Sequence, residues 1–322
     1  MMVSDIVREL KKAQSIGVIT HINPDGDAVG SVLAIALALK KLKKSAVVIK
    51  NDIIPDKYKF LPGQELITCI DDITAALDIL IVLDCGDADR LGNGICLLEK
   101  AKTVINIDHH ISNTMFGNLN LVDTNAAATA EIVYQVIKLT GARLDMDIAT
   151  CLYTAIVADT GCFRYDNTTQ VTHTICGELI SLGVKSNRII TRLFHERTLP
   201  QLKILGMAVN SLKIFHGGKT AVMMVTKDMM EDSGAAQGDL ENVIDFGRDV
   251  SGVEIAVLMK EVEDNSVRIG FRAKDDVDVS SIARGFGGGG HKKASGCTLK
   301  GSLSEALEMV LGEIDKIFGV RQ

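Results

Sequence analysis

No uninterrupted apolar run in this chain of 322 residues approaches the roughly 18 needed to span a bilayer, although hydrophobic residues make up 47% of it. The longest such stretch, 29–39, is interrupted by Gly30 and Ser31 and runs into Lys40, Lys41, Lys43 and Lys44. It reads as a buried helix whose basic end complements the helix dipole, and no membrane partner is expected. The amino terminus lacks the basic-then-apolar pattern expected of a secretory leader, because Asp5, Arg8 and Glu9 interrupt it. The seven cysteines, Cys69, Cys85, Cys96, Cys151, Cys162, Cys176 and Cys297, contain no Cys-x-x-Cys pair. Unpaired thiols in apolar surroundings suit a reducing cytoplasm and argue against a zinc-thiolate site. A basic excess is missing as well, since the net charge is -6. Long nucleic acid is held largely by phosphate neutralisation, so such a partner is disfavoured, whereas a small phosphorylated ligand remains compatible.

What is present begins with length, which exceeds one ordinary core and predicts two domains. Strand-like segments at 16–20, 46–50, 79–83 and 103–107 alternate with helical patterns at 30–42, 127–139, 148–158 and 172–182. This alternation predicts an α/β fold: a parallel-sheet amino-terminal domain with helices on both faces, and a smaller α/β carboxyl-terminal domain across a cleft. The expected boundaries are 1–187, a polar and partly helical connection at 188–215 around Pro200, and 216–322. In the last part, 220–226, 253–261 and 266–272 read as strands, and Ser302 with Glu305 forms a capping box for a helix at 303–318.

Chemistry concentrates in four clusters. The first is His21-Ile22-Asn23-Pro24-Asp25-Gly26-Asp27, where an Asp-x-Asp alternation can aim two carboxylates at two ions. Gly30 and Ser31 then start the expected helix, with free amides able to face an anion. A polar turn in which Asp27 caps that helix is the plain structural alternative. Asp84 ends the apolar run 80–83, where an unpaired carboxylate is costly, and its two oxygens could bridge a pair of ions. An Asx-type turn through Gly86 would also account for it. In Asp108-His109-His110, one ring can coordinate while the other meets a phosphate oxygen, and Asp108 can orient one of them. Asp159 ends a helical run, a position the helix dipole disfavours for an anion unless a cation is near.

The far half holds Gly285-Phe286-Gly287-Gly288-Gly289-Gly290-His291-Lys292-Lys293. Its glycines formally match the dinucleotide-binding fingerprint, but no strand immediately precedes them, and that reading is rejected. Such a run instead lets backbone amides curl around a phosphate, with His291 and the lysines as further donors. A flexible linker is disfavoured by the structured segments on either side.

Together these residues resemble the DHH phosphoesterase superfamily. HINPDGDAVGS, LDCGD, DHH and ADTG are similar to its four amino-terminal motifs, and GFRAKDDVDVSSIARGFGGGGHKKASG is similar to its associated carboxyl-terminal domain. Length and the GGGGH loop most resemble the nanoRNase branch, whose members degrade short oligoribonucleotides and dephosphorylate 3′-phosphoadenosine-5′-phosphate (pAp). The resemblance implies two divalent ions, manganese preferred. One would be held by His21, Asp25 and Asp84, the other by Asp27, Asp84, His109 and Asp159. His110 would face the scissile phosphate with Asp108 in support. Arg272 and the loop through Gly288, Gly289, Gly290 and His291 would hold the substrate. In-line attack of a hydroxide on phosphorus, with the ions neutralising developing charge, is the implied chemistry. Ligation without thiolate suits manganese and leaves magnesium, cobalt and zinc open.

Other readings differ in substrate. A manganese pyrophosphatase would be expected to carry a serine-arginine-lysine-lysine motif, which is absent. A long-strand exonuclease would need a further nucleic-acid module. A phosphodiesterase of linear or cyclic di-AMP would share the same site, and a non-catalytic nucleotide-binding regulator would not need intact ligands. Oligomeric state is not fixed by the sequence, and a homodimer is compatible with it.

Overall fold

Strands of the first half are nearly continuous apolar runs, as a sheet covered on both faces requires. In the computed structural model, which describes residues 2–240, 242–274 and 277–319, they form one parallel sheet. The strands are β1 (Ser15–Thr20), β2 (Ser45–Lys50), β3 (Ile67–Cys69), β4 (Leu77–Leu83), β5 (Ala101–Asp108) and β6 (Leu119–Val122), ordered β3-β2-β1-β4-β5-β6. All five pairings are parallel.

The two faces are covered unequally. Ile16 and Val18 of β1, Ile79 and Ile81 of β4, and Ile105 and Ile107 of β5 pack under helices α1 (Met2–Lys12), α2 (Gly26–Lys41), α3 (Thr129–Thr140), α4 (Met146–Asp159) and α5 (Gln170–Ser181). Alternate residues Ile19, Leu80 and Val82 face the other way, toward Leu91 and Leu97 of the 3-10 segment Ala88–Leu97. A short α6 (Ser186–Ile190) then leads into a π-helical turn, Thr191–His195.

Two glycines seat α2. A Cβ on Gly26 would lie 2.4 Å from Cβ of Ala158, and one on Gly30 would lie 2.5 Å from the Cys151 carbonyl oxygen. They stand one turn apart, so α2 and α4 pack backbone to backbone along that line. This close approach brings the start of α2 against the end of α4. The structure also corrects the expected start of α2. The helix begins at Gly26 rather than residue 30, and Asp25, not Asp27, is its cap, accepting from the Ala28 amide at 3.0 Å. Gly30 and Ser31 are therefore inside the helix, and their amides do not face an anion.

The chain divides between Glu196 and Arg197 into two compact units. The second contains α7 (Leu199–Asn210), β7 (Lys213–Phe215), β8 (Thr220–Val225), α8 (Lys227–Ser233), α9 (Val243–Arg248), β9 (Ile255–Val262), β10 (Ser266–Ala273), α10 (Val279–Gly285), β11 (Gly289–His291), β12 (Ala294–Lys300) and α11 (Leu303–Phe318). Its sheet is ordered β11-β12-β10-β9-β8-β7, parallel only between β8 and β9. One face buries Val257, Ile269 and Phe271 under Ile282, Val310 and Ile314. The other buries Met223 and Val225 under Ile204, Ala208 and Val243. Pro200 is tolerated because it stands in the first turn of α7, where no intrahelical amide bond is lost, and Thr198 with Gln201 forms a capping box there. The expected box at Ser302 and Glu305 is also formed. Among the described residues no helix is long and apolar enough to cross a membrane. Asp275 and Asp276, part of the long carboxyl-terminal motif, lie outside the described residues.

Candidate active site

In a sheet ordered this way the connections leave β1 and β4 in opposite directions, opening a crevice beyond their carboxyl ends. His21 follows β1 directly, Asp84 follows β4, and Asp108 is the last residue of β5, with His109 and His110 beyond it. Asp25 and Asp27 arrive on the start of α2, and Asp159 on the last turn of α4. Five separate elements thus converge on one place.

Asp84 sits at the centre. Its backbone is left-handed, with φ of 54°, an uncommon conformation for a residue with a side chain. Its amide still donates to the Ile107 carbonyl at 3.0 Å, which holds the turn to β5. One carboxylate oxygen, Oδ2, is 3.6 Å from Nε2 of His21. The other, Oδ1, is 3.6 Å from Nε2 of His109 and 3.7 Å from Nδ1 of His110. Nε2 of His109 is also 3.5 Å from Asp159 and 4.0 Å from Asp27.

The imidazoles are oriented from behind, and in two ways. Nδ1 of His21 is 2.7 Å from the Ile22 carbonyl, and Nδ1 of His109 is 3.2 Å from that of Ala126. A carbonyl can only accept, so each ring donates from Nδ1 and turns its Nε2 toward the carboxylates. That is the ring orientation a metal ligand needs. His110 differs. Its Nδ1 is held at 2.7 Å by Asp108, which is fully buried and receives a second bond of 2.6 Å from Asn113. Nδ1 of His110 is thereby engaged, and Nε2 is left for another partner.

Burial and like charge set the electrostatics. Burial first, then the charges of Asp84, Asp159 and Asp25, push Asp27 well above the ordinary carboxylate range. Asp159 is raised to about 7, burial again leading; Asp84 and Asp25 add to the rise, and His109 opposes it. Asp25 keeps an exposed surface, yet the protein packed around it and the Asp84 charge raise it too. Asp84 alone among these four is lowered: burial opposes ionisation, and the hydrogen bond from His21 with the neighbouring imidazoles overcomes it. Asp108 raises His110 through their hydrogen bond, and burial only partly offsets this. Four carboxylates gathered in a poorly solvated crevice repel one another, and bound cations would relieve that cost. The ligand atoms fall into three groups, each within 4.8 Å: His21, Asp25 and Asp84; Asp27, His109 and Asp159; and Asp84, His109 and His110. Nitrogen and oxygen donors without thiolate suit a hard or intermediate divalent ion.

Several supporting residues were not apparent in the sequence. The amide of Thr129 donates to Asp27 at 2.6 Å, and the Ala130 amide donates to its other oxygen at 3.0 Å. The Thr129 hydroxyl donates to Asp84 at 3.0 Å. Asp27 therefore caps α3, a helix whose own cap position is Ala128 and offers no side-chain acceptor. That missing local cap is the signal a reader could have used. Asn106, a fully buried amide inside an apolar strand, is another: it binds the Cys85 carbonyl and accepts from Asn113.

Arg272, Gly288, Gly289, Gly290 and His291 belong to the second unit. Arg272 on β10 and His291 on β11 both pair with Ala294 of β12, so they share one row across the sheet. The glycine run is an ordered hairpin strand rather than an open loop. Gly290 has φ of 137°, and a Cβ there would meet the Ala294 carbonyl oxygen at 2.6 Å; at Gly288 it would meet that of Gly296 at 2.2 Å. The Gly288 amide donates to Ala283 at 2.8 Å and that of Gly287 to Arg284 at 3.0 Å. Both amides close α10, and this replaces the expectation that they wrap a phosphate.

Residues 15–156 match the model of the DHH family N-terminal domain, and residues 216–319 that of the DHHA1 domain. The chain is 35% identical over 309 residues to the bifunctional oligoribonuclease and PAP phosphatase NrnA of Thermus thermophilus, covering 95% of this chain and 91% of the relative. The chain belongs to the DHH phosphoesterase family. As a member it is a hydrolase of phosphoester bonds. The protein of the same name from Bacillus subtilis is 27% identical over 319 residues, 98% of each chain. An exopolyphosphatase-related protein from Bacteroides fragilis shares the DHH-family fold with a TM-score of 0.91 at 24% identity, over 98% of this chain and 96% of that one. The exonuclease RecJ bound to manganese gives 0.51 at 14% identity, over 96% and 93%. At those identities the likeness is one of fold alone.

Proposed function

We propose that this DHH hydrolase degrades short oligoribonucleotides to mononucleotides and dephosphorylates pAp, using two divalent ions, manganese by preference. The observation that supports the metal reading is the position of Asp84: one oxygen lies 3.6 Å from Nε2 of His21 and the other 3.6 Å from Nε2 of His109, so a single carboxylate reaches a member of each proposed ligand set. His21, Asp25 and Asp84 would hold one ion, and Asp27, Asp84, His109 and Asp159 the other. When bound, such ions supply charge neutralisation at the phosphoryl group. His110, raised and anchored by Asp108, offers an Nε2 proton to a phosphate oxygen or to the leaving group. Arg272, Gly289, Gly290 and His291 would hold the substrate, with Gly288 letting β11 approach Gly296.

We assign catalysis to 1–187, the connection to 188–215 and substrate binding to 216–322, in keeping with the family matches at 15–156 and 216–319. Seven free thiols support a reducing, cytoplasmic setting. The substrate reading rests on NrnA relatives that align over nearly the whole chain. Turnover of pAp, RNA dinucleotides, a longer RNA, linear and cyclic di-AMP, and pyrophosphate should be compared with manganese present. Fast hydrolysis of RNA dinucleotides and pAp is expected, and cleavage of pyrophosphate or cyclic di-AMP alone would overturn the reading.

A further inference from the structure

A cavity of about 510 Å³ opens in the first unit, away from the carboxylate crevice. Its lining includes Phe60, Thr150 of α4, Lys185, Arg188, Arg192 and Glu196. Thr150 stands nine residues before Asp159 on the same helix, a separation of about 13 Å at the α-helical rise. The volume falls within the range of about 300–1,000 Å³ typical of small-molecule sites.

Lys185 at the cap of α6, Arg188 within it and Arg192 in its π-helical continuation all line this cavity. Among the described residues none of the three makes an ion pair with a carboxylate. Glu196 is the one acid in the lining, so the wall carries an excess of two positive charges. Arg192 is held in place, its guanidinium 4.9 Å from the centre of the Phe60 ring. The Thr150 hydroxyl donates to the Met146 carbonyl at 2.7 Å and keeps its lone pairs for an incoming donor. The π-helical turn is itself a feature that recurs at functional sites.

We propose that this cavity is a second ligand site, for a small organic phosphate of nucleotide size, with Lys185, Arg188 and Arg192 on the phosphate. Inorganic phosphate alone would leave most of the volume unfilled. Every lining residue belongs to the first unit, and none is a proposed metal ligand or substrate contact, so the site does not depend on the assignment of either.

AMP serves as the probe, titrated calorimetrically into the full-length chain in EDTA. An Arg272→Ala/His291→Ala background removes the second-unit contacts, so failure of that assignment and failure of this one are read separately. In this background AMP is expected to bind one site, and adding Arg188→Glu/Arg192→Glu should raise its Kd at least tenfold. Arg188→Gln/Arg192→Gln should weaken it less, which guards against a charge reversal that merely misfolds. Inorganic phosphate should bind at least tenfold more weakly than AMP. Binding that is unchanged by both arginine pairs, or phosphate binding as tightly as AMP, would overturn the proposal.

Discussion

The two units build their candidate sites from opposite materials. The first gathers ionisable side chains in its crevice, with Asp27, Asp84, His21 and Asp108 each almost wholly buried. The second offers a nearly side-chain-free edge, β11, whose residues are all exposed and whose Gly290 lies against the backbone of Ala294 and Ser295. Buried charge is costly and therefore has to be held rigidly, whereas exposed backbone is inexpensive to place and suits recognition by shape. The difference teaches which substitutions should act on turnover and which on affinity.

Asp84→Ala should have the largest effect. It removes the carboxylate that faces both His21 and His109, and kcat/KM should fall about 1,000-fold or more, the scale for losing a centre that stabilises developing charge. Circular dichroism should be unchanged, because removing one of four crowded carboxylates relieves repulsion. Retention of full manganese-dependent activity would remove Asp84 from the centre and erase the contrast between the units.

The contrast also predicts opposite pH trends with and without metal. Asp159 is raised to about 7 in the folded, metal-free chain and returns to an ordinary carboxylate in the unfolded one. Its proton therefore stabilises the fold at low pH, and that contribution fades as pH climbs through about 7. Asp27 and Asp25 are raised and act in the same sense. The Tm of the metal-stripped chain should fall between about pH 5 and about pH 8 from these groups. Adding divalent ion should restore Tm most at the alkaline end, because binding must displace those protons. A Tm of the stripped chain that rises steadily across this range would contradict the crowding of carboxylates.

Much of the first unit's candidate centre was legible because each acid-and-histidine cluster follows an element that sequence patterns reveal. The apolar runs ending at Thr20, Leu83 and Ile107 deliver His21, Asp84 and Asp108 to one sheet edge, and parallel pairing does the rest. What escaped was tertiary. Gly26 and Gly30 matter through contacts with Ala158 and Cys151, more than 100 positions away in sequence. Thr129 and Ala130 reach Asp27 over a similar separation. The start of α2 was misplaced because Gly26 is a poor helix former by propensity, and the need to touch α4 overrode that preference. The glycine hairpin was legible only in part, for a related reason. Glycine suits a phosphate cradle and a tight strand pairing equally well, and only the positions of Gly296 and Ala294 distinguish them.

Asn113→Ala tests whether His110 depends on Asp108 being held. It deletes the 2.6 Å bond to Asp108 and the bond to Asn106. Losing such a supporting partner is expected to cost about 10- to 100-fold in kcat. KM and metal affinity should stay nearly constant, and the pH profile of kcat should shift as His110 loses part of its support. A uniform loss that follows Tm, with an unmoved pH profile, would reduce Asn113 to a purely structural role.

The smallest effects belong to the second unit, and they should fall on KM. Gly290→Ala places a Cβ 2.6 Å from the Ala294 carbonyl oxygen at a φ that side chains avoid, whereas a Cβ at Gly289 meets nothing within 4 Å. The first substitution should displace β11 and raise KM, and the second should be tolerated unless a ligand lies against that strand. His291→Ala keeps the backbone and removes one exposed imidazole. It should raise KM by about tenfold or less with kcat nearly constant, the pattern of lost uniform binding. If His291→Ala instead lowered kcat as strongly as Asn113→Ala while leaving KM alone, the second unit would share in the chemical step, and the division between turnover and recognition would fail.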